Sequence, residues 1–174
     1  IHMTNWIVNA MPERFPKLKM LWVEGGLAWI PYLMQRLDHE FLMRQNEAPG
    51  LRKLPSDYMK EMYFSSQPME QVHPTALKVT MDMMNAETQL LYASDWPHWD
   101  FNPPHTITKL TFLSAQAKKN ILGLNAARLF NLPIKRVRPR PEDVLAQRKT
   151  DNIEVPASRE TRDERAGREF SRKS

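Results

Sequence analysis

The chain has no cysteine in its 174 residues, which excludes a disulfide framework, a thiolate zinc site and a cysteine nucleophile. Any metal must be bound through His, Asp or Glu, and the absence fits a reducing cytoplasm. Long apolar runs are missing too. The longest, such as Leu21 to Val23 and Leu90 to Ala93, fall far short of the roughly 20 residues that a membrane span needs, and no signal-peptide pattern opens the chain. These absences lead to the expectation of a cytoplasmic protein with no membrane partner.

What is present suffices for one domain with its own core. The net charge of +5 raises the question of nucleic acid, so its placement matters. Basic residues crowd the end, from Lys135 through Arg136, Arg138, Arg140 and Arg148 onward, where Asp and Glu interrupt them and Phe170 is the one aromatic. Mixed charge without stacking aromatics argues against nucleic acid as a partner. Composition thus divides the chain into a globular region, 1–132, and a charged, proline-containing arm, 133–174. Such an arm buries too little apolar surface to offset its own ordering entropy. It is either unordered or laid across a neighbouring subunit, with Val137, Val144, Leu145 and Ile153 as its anchors.

Within the globular region, helical periodicity alternates with short apolar runs. Met3, Trp6, Ile7 and Ala10 share a helical face that Pro12 ends; Leu18 to Val23 reads as a strand. Pro31 opens a helix with Met34, Leu37 and Phe41 on one stripe. An irregular connection covers Gln45 to Asp57, and Glu61 to Ser66 is a second strand. A helix from Pro74 turns Ala76, Leu77, Thr80, Met83 and Met84 inward, and Gln89 to Ser94 is a third strand ending at Asp95. Ser114 and Asn125 are placed to cap two closing helices. Strands that alternate with helices pair in parallel. Three are too few for a closed cylinder, which needs eight, and an open three-stranded sheet leaves bare edges.

In parallel α/β architectures ligands bind beyond the C-terminal ends of the strands. Here those ends carry Glu24, the group Ser65-Ser66-Gln67, and Asp95, each polar directly after an apolar strand. Trp29, Trp96 and Trp99 fall in the strand-end loops and offer apolar walls for a small substrate. Blander readings stand beside these. Asp95 can be a turn carboxylate, Glu24 a buried carboxylate paired with an Arg, Gln67 an amide satisfying backbone groups, and His98 either a rim residue meeting substrate or a neighbouring carboxylate, or a packed histidine.

The segment Ser94-Asp95-Trp96-Pro97-His98-Trp99-Asp100 resembles the last-strand motif of the amidohydrolase-related family, which includes aminocarboxymuconate-semialdehyde decarboxylase. Phe15-Pro16-x-Leu18-Lys19, Glu24-x-Gly26, Trp29-x-Pro31 and Arg36-Leu37-Asp38 are similar to that family's sixth strand and helix. Lys119-Asn120-Ile121-Leu122-Gly123 with Asn125-Ala126 and Leu129-Phe130 looks like its closing helices. The resemblance implies the C-terminal portion, about strands 6 to 8, of a (β/α)₈ TIM barrel. It implies a mononuclear divalent metal, usually zinc, held by a His-x-His pair, a further His and a last-strand Asp. Only the Asp is here, as Asp95, for none of the five histidines (His2, His39, His73, His98, His105) forms a His-x-His pair. The barrel and its metal site would then be completed by an upstream segment or a second chain in an oligomer, and the opening at Ile1, inside a helical pattern, fits a piece.

The reading that follows is a metal-dependent hydrolase or non-oxidative decarboxylase acting on a small organic molecule. Asp95 would serve as metal ligand and proton acceptor and Glu24 as proton carrier, while His98, Gln67, Trp29 and Trp96 would contact substrate. Many relatives carry a histidine where Glu24 stands, which departs from a direct copy of the decarboxylase chemistry. The alternative is a non-catalytic subunit that stabilises a catalytic barrel partner.

Overall fold

The computed structural model describes residues 1–134; the suggested arm from Lys135, with its anchors Val137, Val144, Leu145 and Ile153, lies outside the described residues. Three short strands, β1 (Leu21–Trp22), β2 (Tyr63–Ser65) and β3 (Leu90–Leu91), form one parallel sheet in the order β1-β2-β3. Leu21 lies opposite Tyr63 and Trp22 opposite Phe64, while Phe64 and Ser65 face Leu90 and Leu91. Parallel pairing is therefore as expected, but each strand is shorter than its apolar run. Leu18 and Val23 explain the trimming at β1, since at 56% and 65% exposure they lie outside any packed face.

Helices supply the connections. The first two are α1 (His2–Val8) and α2 (Met11–Arg14), so Pro12 starts a new turn instead of ending α1. In a first turn proline gives up an N–H that has no helical partner. The same rule accommodates Pro31 in the first turn of α3 (Trp29–Met43), which buries Ile30, Met34 and Leu37. The expected irregular stretch after it contains a 3₁₀ turn, Gln45–Glu47, and α4 (Pro55–Met59). Next come α5 (Pro74–Met83) and α6 (Ala86–Gln89), and α5 turns Leu77, Thr80 and Met81 inward while Ala76 is exposed. The closing segments are α7 (His105–Thr108), α8 (Ala115–Lys119), a π-helical turn (Asn120–Leu124) and α9 (Asn125–Leu129). No helix among the described residues is long and apolar enough to cross a membrane.

The core lies between sheet and helices, with Phe64, Leu90, Ile30, Met34, Met59, Met84, Ile107 and Ile121 each almost fully buried. Methionines contribute Met3, Met62, Met69 and Met81 as well, filling gaps between helices of uneven length. Of the tryptophans, Trp6, Trp22 and Trp29 are half-buried, and Trp96 and Trp99, read from the sequence as strand-end loop residues, are exposed.

The two sheet edges differ. On the outer side of β3, Tyr92 N–H donates to Ile121 O at 2.9 Å, and Asn125 Nδ2 donates to Leu90 O at 2.7 Å and to Glu87 O at 3.1 Å. The π-helical turn and Asn125 thus satisfy backbone groups that a further strand would otherwise pair. Asn125 is 1% exposed and sits inside continuous helix with φ −64°. The cap expected there is not formed; the carbonyls of Leu90 at the start of β3 and of Glu87 in α6 claim its amide instead. Ser114 is a cap as expected, its Oγ accepting from Ala117 N–H at 3.0 Å.

Candidate functional site

The three strand ends are tied together by serine hydroxyls. Ser65 Oγ at the end of β2 accepts from Glu24 N–H at 3.0 Å, and Ser66 Oγ accepts from Ala93 N–H at 3.0 Å. The residues following β1 and β3 are consequently fixed from the middle strand. Glu24, two residues beyond β1, and Asp95, four residues beyond β3, share a left-handed backbone, φ 59° and 58°. For residues with a Cβ that conformation is disfavoured, and it concentrates where surrounding structure holds a functional side chain in place.

The loop after β3 folds back through its own backbone. His98 N–H donates to Asp95 O at 2.8 Å, Phe101 N–H to His98 O at 3.2 Å and Asn102 N–H to Ser94 O at 2.8 Å. This places Asp95, His98 and Asp100 side by side, with one ligand atom of each within 4.8 Å of the others. His98 Nδ1 lies 2.5 Å from Asp100 Oδ1 and 3.2 Å from Asp95 Oδ2. A carboxylate can only accept, so the Nδ1 hydrogen goes to the nearer Asp100. Asp95 Oδ2 is left buried with no hydrogen-bond partner despite its closeness to the ring. The imidazole pKa is raised, chiefly by its hydrogen bond to Asp100; partial desolvation opposes this, and the charges of Asp100, Asp95 and Glu24 add to it.

A buried carboxylate oxygen without a donor is unfavourable unless positive charge meets it. That orphaned atom, on an oxygen donor at a strand end, fits a divalent cation. Asp95 lies in the loop beyond β3, and His98 lies against the carboxylates of Asp95 and Asp100.

Other candidates sit differently. Glu24 is exposed, so the buried, Arg-paired alternative does not describe it. Gln67 is 3% exposed, beneath the rim at the end of β2. Trp29 is committed locally: its indole N–H reaches Gly25 O at 2.7 Å and Gly26 O at 3.0 Å, and its ring meets Phe64 edge-on at 6.5 Å. Trp96 and Trp99, at 70% and 86% exposure, wall no enclosed space among the described residues; Trp96 packs edge-to-face on Phe101 at 4.8 Å. A cavity of about 210 Å³, lined by Glu13, Met20, Tyr58 and Met62, lies beyond the opposite, N-terminal ends of β1 and β2 and takes no part in the rim.

Sequence reasoning missed two participants. Asp100 was visible only as part of a motif, and its i+2 spacing from His98 becomes a contact once the loop reverses. Glu70, in the loop after β2, accepts from Leu27 N–H at 3.0 Å and Ala28 N–H at 3.2 Å, closing the start of α3 and so the loop that carries Glu24. Gly26, φ +70°, gives it room, since a Cβ there would come within 2.6 Å of Glu70 Oε1.

Among solved structures the fold is shared by 5-carboxyvanillate decarboxylase from Sphingomonas paucimobilis, at 25% identity and TM-score 0.58 over 74% of this chain and 38% of that one. A dihydroxybenzoic acid decarboxylase from a Polaromonas species, solved with bound manganese and the inhibitor 2-nitroresorcinol, matches at 23% identity and TM-score 0.58 over 82% of this chain and 41% of that one. The 2,6-dihydroxybenzoate decarboxylase from Rhizobium matches at 22% identity and TM-score 0.58, over 75% of this chain and 40% of that one. The chain thus spans about two fifths of the length of these enzymes. The family model described as amidohydrolase matches residues 1–132, essentially the whole region built around the three strands. With its parallel sheet, strand-end carboxylates and that match across most of its length, the chain belongs to the amidohydrolase family and has the mixed α/β fold of that barrel family.

Proposed function

We propose that this chain is the part of a metal-dependent enzyme, corresponding to about strands 6 to 8 of a TIM barrel, that contributes the last-strand metal ligand Asp95. The observation that carries the reading is the buried, partnerless Asp95 Oδ2 at a strand end. Upstream sequence or a second chain supplies the remaining barrel strands and the histidine ligands. Residues 1–132 are the barrel part.

Of the two chemistries, non-oxidative decarboxylation of a small carboxylic acid is favoured over hydrolysis, because the similar structures named above are decarboxylases of hydroxylated benzoic acids. In that reaction the bond from carbon to carboxylate breaks, carbon dioxide leaves with no change in overall oxidation state, and the carbon keeps the electron pair and takes a proton. A divalent ion, zinc in our reading, supplies positive charge against the negative charge developing on the substrate. Asp95 holds that ion. Glu24, exposed and held beyond β1 by Ser65, carries the proton to carbon. His98, oriented by Asp100, presents its other ring nitrogen to the substrate, Gln67 bounds the site from below, and Trp96 lies along the substrate's flat face, with Trp29 fixing the loop that bears Glu24.

The test is carbon dioxide release from a panel of hydroxybenzoates by the complete enzyme, this chain together with whatever polypeptide completes it. Glu24→Gln is expected to lower kcat by about 10²- to 10⁴-fold with little change in KM. Turnover unaffected by both Glu24→Gln and Asp95→Asn would favour the second reading, a non-catalytic subunit, whose support is that one of the four implied ligands lies in this sequence.

A further inference from the structure

The loop after β3 holds more ligand atoms than a last-strand aspartate requires. Asp95, His98 and Asp100 converge because three backbone hydrogen bonds, His98 to Asp95, Phe101 to His98 and Asn102 to Ser94, curl residues 94–102 into one turn. Two carboxylates there face one imidazole nitrogen, which has a single hydrogen to give, and the surplus is borne by the buried Asp95 Oδ2. We propose that Asp95, His98 and Asp100 together form a divalent-cation site contained within this chain, able to bind zinc without the upstream histidines.

Charge and geometry both support the assignment. A neutral imidazole with two carboxylates balances a dication, and a mixed nitrogen and oxygen set suits zinc. Ligand atoms that lie about 2.0 to 2.2 Å from a tetrahedral zinc are roughly 3.3 to 3.6 Å apart. The 3.2 Å between His98 Nδ1 and Asp95 Oδ2 is already near that spacing, whereas the 2.5 Å between Nδ1 and Asp100 Oδ1 must open. Opening is feasible, for Asp100 and His98 are 33% and 52% exposed at their side chains, which also leaves room for water as a further ligand. The three ligands sit on a loop fixed at both ends, by Ser66 at Ala93 and by the Tyr92 hydroxyl, which donates to Asn102 O at 2.7 Å. Little further ordering is needed on binding.

This inference rests on the reading of Asp95 as a metal ligand, and the experiment separates the two. Zinc alone is titrated calorimetrically into the purified 174-residue chain. His98→Gln, Asp100→Asn, Asp95→Asn and, as a control remote from the loop, His2→Gln are compared, with circular dichroism confirming that each is folded. The expected result is one zinc per chain, at least about tenfold weaker for His98→Gln and for Asp100→Asn, lost for Asp95→Asn and unaltered for His2→Gln. If His98→Gln and Asp100→Asn bind as the parent does while Asp95→Asn does not, the local site is refuted and Asp95 stands as a ligand by itself. No zinc binding by the parent chain, or binding that survives Asp95→Asn, overturns the inference outright.

Discussion

Asn125 offers a direct way to set local sequence preference against tertiary structure. As a helix cap its side chain would accept a hydrogen bond from the following turn, and aspartate would serve equally well. In the structure it is a donor. Nδ2 is shared between Leu90 O, on a residue with no exposed surface, and Glu87 O, while Oδ1 accepts from Arg128. Replacing Asn125 with Ala strips a buried carbonyl of its donor and leaves a small void, a combination worth about 2 to 3 kcal/mol. For a domain of this size each kcal/mol moves Tm by about 3 to 5 °C, so a fall of roughly 6 to 15 °C is expected. Asn125→Asp should be worse than Ala, since a buried carboxylate would be held against two carbonyl oxygens. Urea denaturation of the three proteins followed by circular dichroism measures both differences. An aspartate variant as stable as the parent, or an alanine variant within about 0.5 kcal/mol of it, would refute the argument.

Two further perturbations follow from the same geometry. Tyr58, 2% exposed, donates to Glu13 and accepts from Arg52 N–H at 2.9 Å, so Tyr58→Phe should cost about 1 to 2 kcal/mol. Burial first, and the Glu13 hydrogen bond second, raise the phenol pKa. A folded-state pKa above the unfolded value of about 10 gives stability that is complete below pH 10 and lost as pH rises through the folded value, so the gap between parent and Tyr58→Phe should hold steady up to about pH 10 and narrow only above it in urea denaturation. Gly26→Ala should destabilise by about 1 to 3 kcal/mol through its positive φ and its collision with Glu70. Combined with Glu70→Ala, which removes the collision, the loss should fall short of additive in a double-mutant cycle; strict additivity would argue against the clash.

How much of this could be read beforehand depends on the range of the interaction concerned. Parallel pairing was legible from the alternation of strands and helices, and the carboxylates beyond β1 and β3 from an apolar run followed at once by Glu24 or Asp95, which is a local signal. Strand length was not, since Leu18 and Val23 have strand-like character yet no surface to pack against. The stripe on α5 was misjudged by one position: Met81 faces inward and Ala76 does not, because helical periodicity leaves the register to whichever neighbours are present. Asn125 misled for a plainer reason, as its partners Leu90 and Glu87 lie 35 and 38 residues upstream. Asp95 was found, but the His98–Asp100 contact beside it arises from a chain reversal that spacing alone does not announce.

The central claim, that Asp95 is the carboxylate this chain brings to a catalytic metal, is tested most directly by elemental analysis of the complete enzyme. Mass-spectrometric zinc and manganese content is measured for the parent and for Asp95→Asn purified in parallel, with circular dichroism as the check on folding. The expected result is close to one divalent ion per chain in the parent and a large loss in the variant. Equal metal content in the two, with both folded, would contradict it.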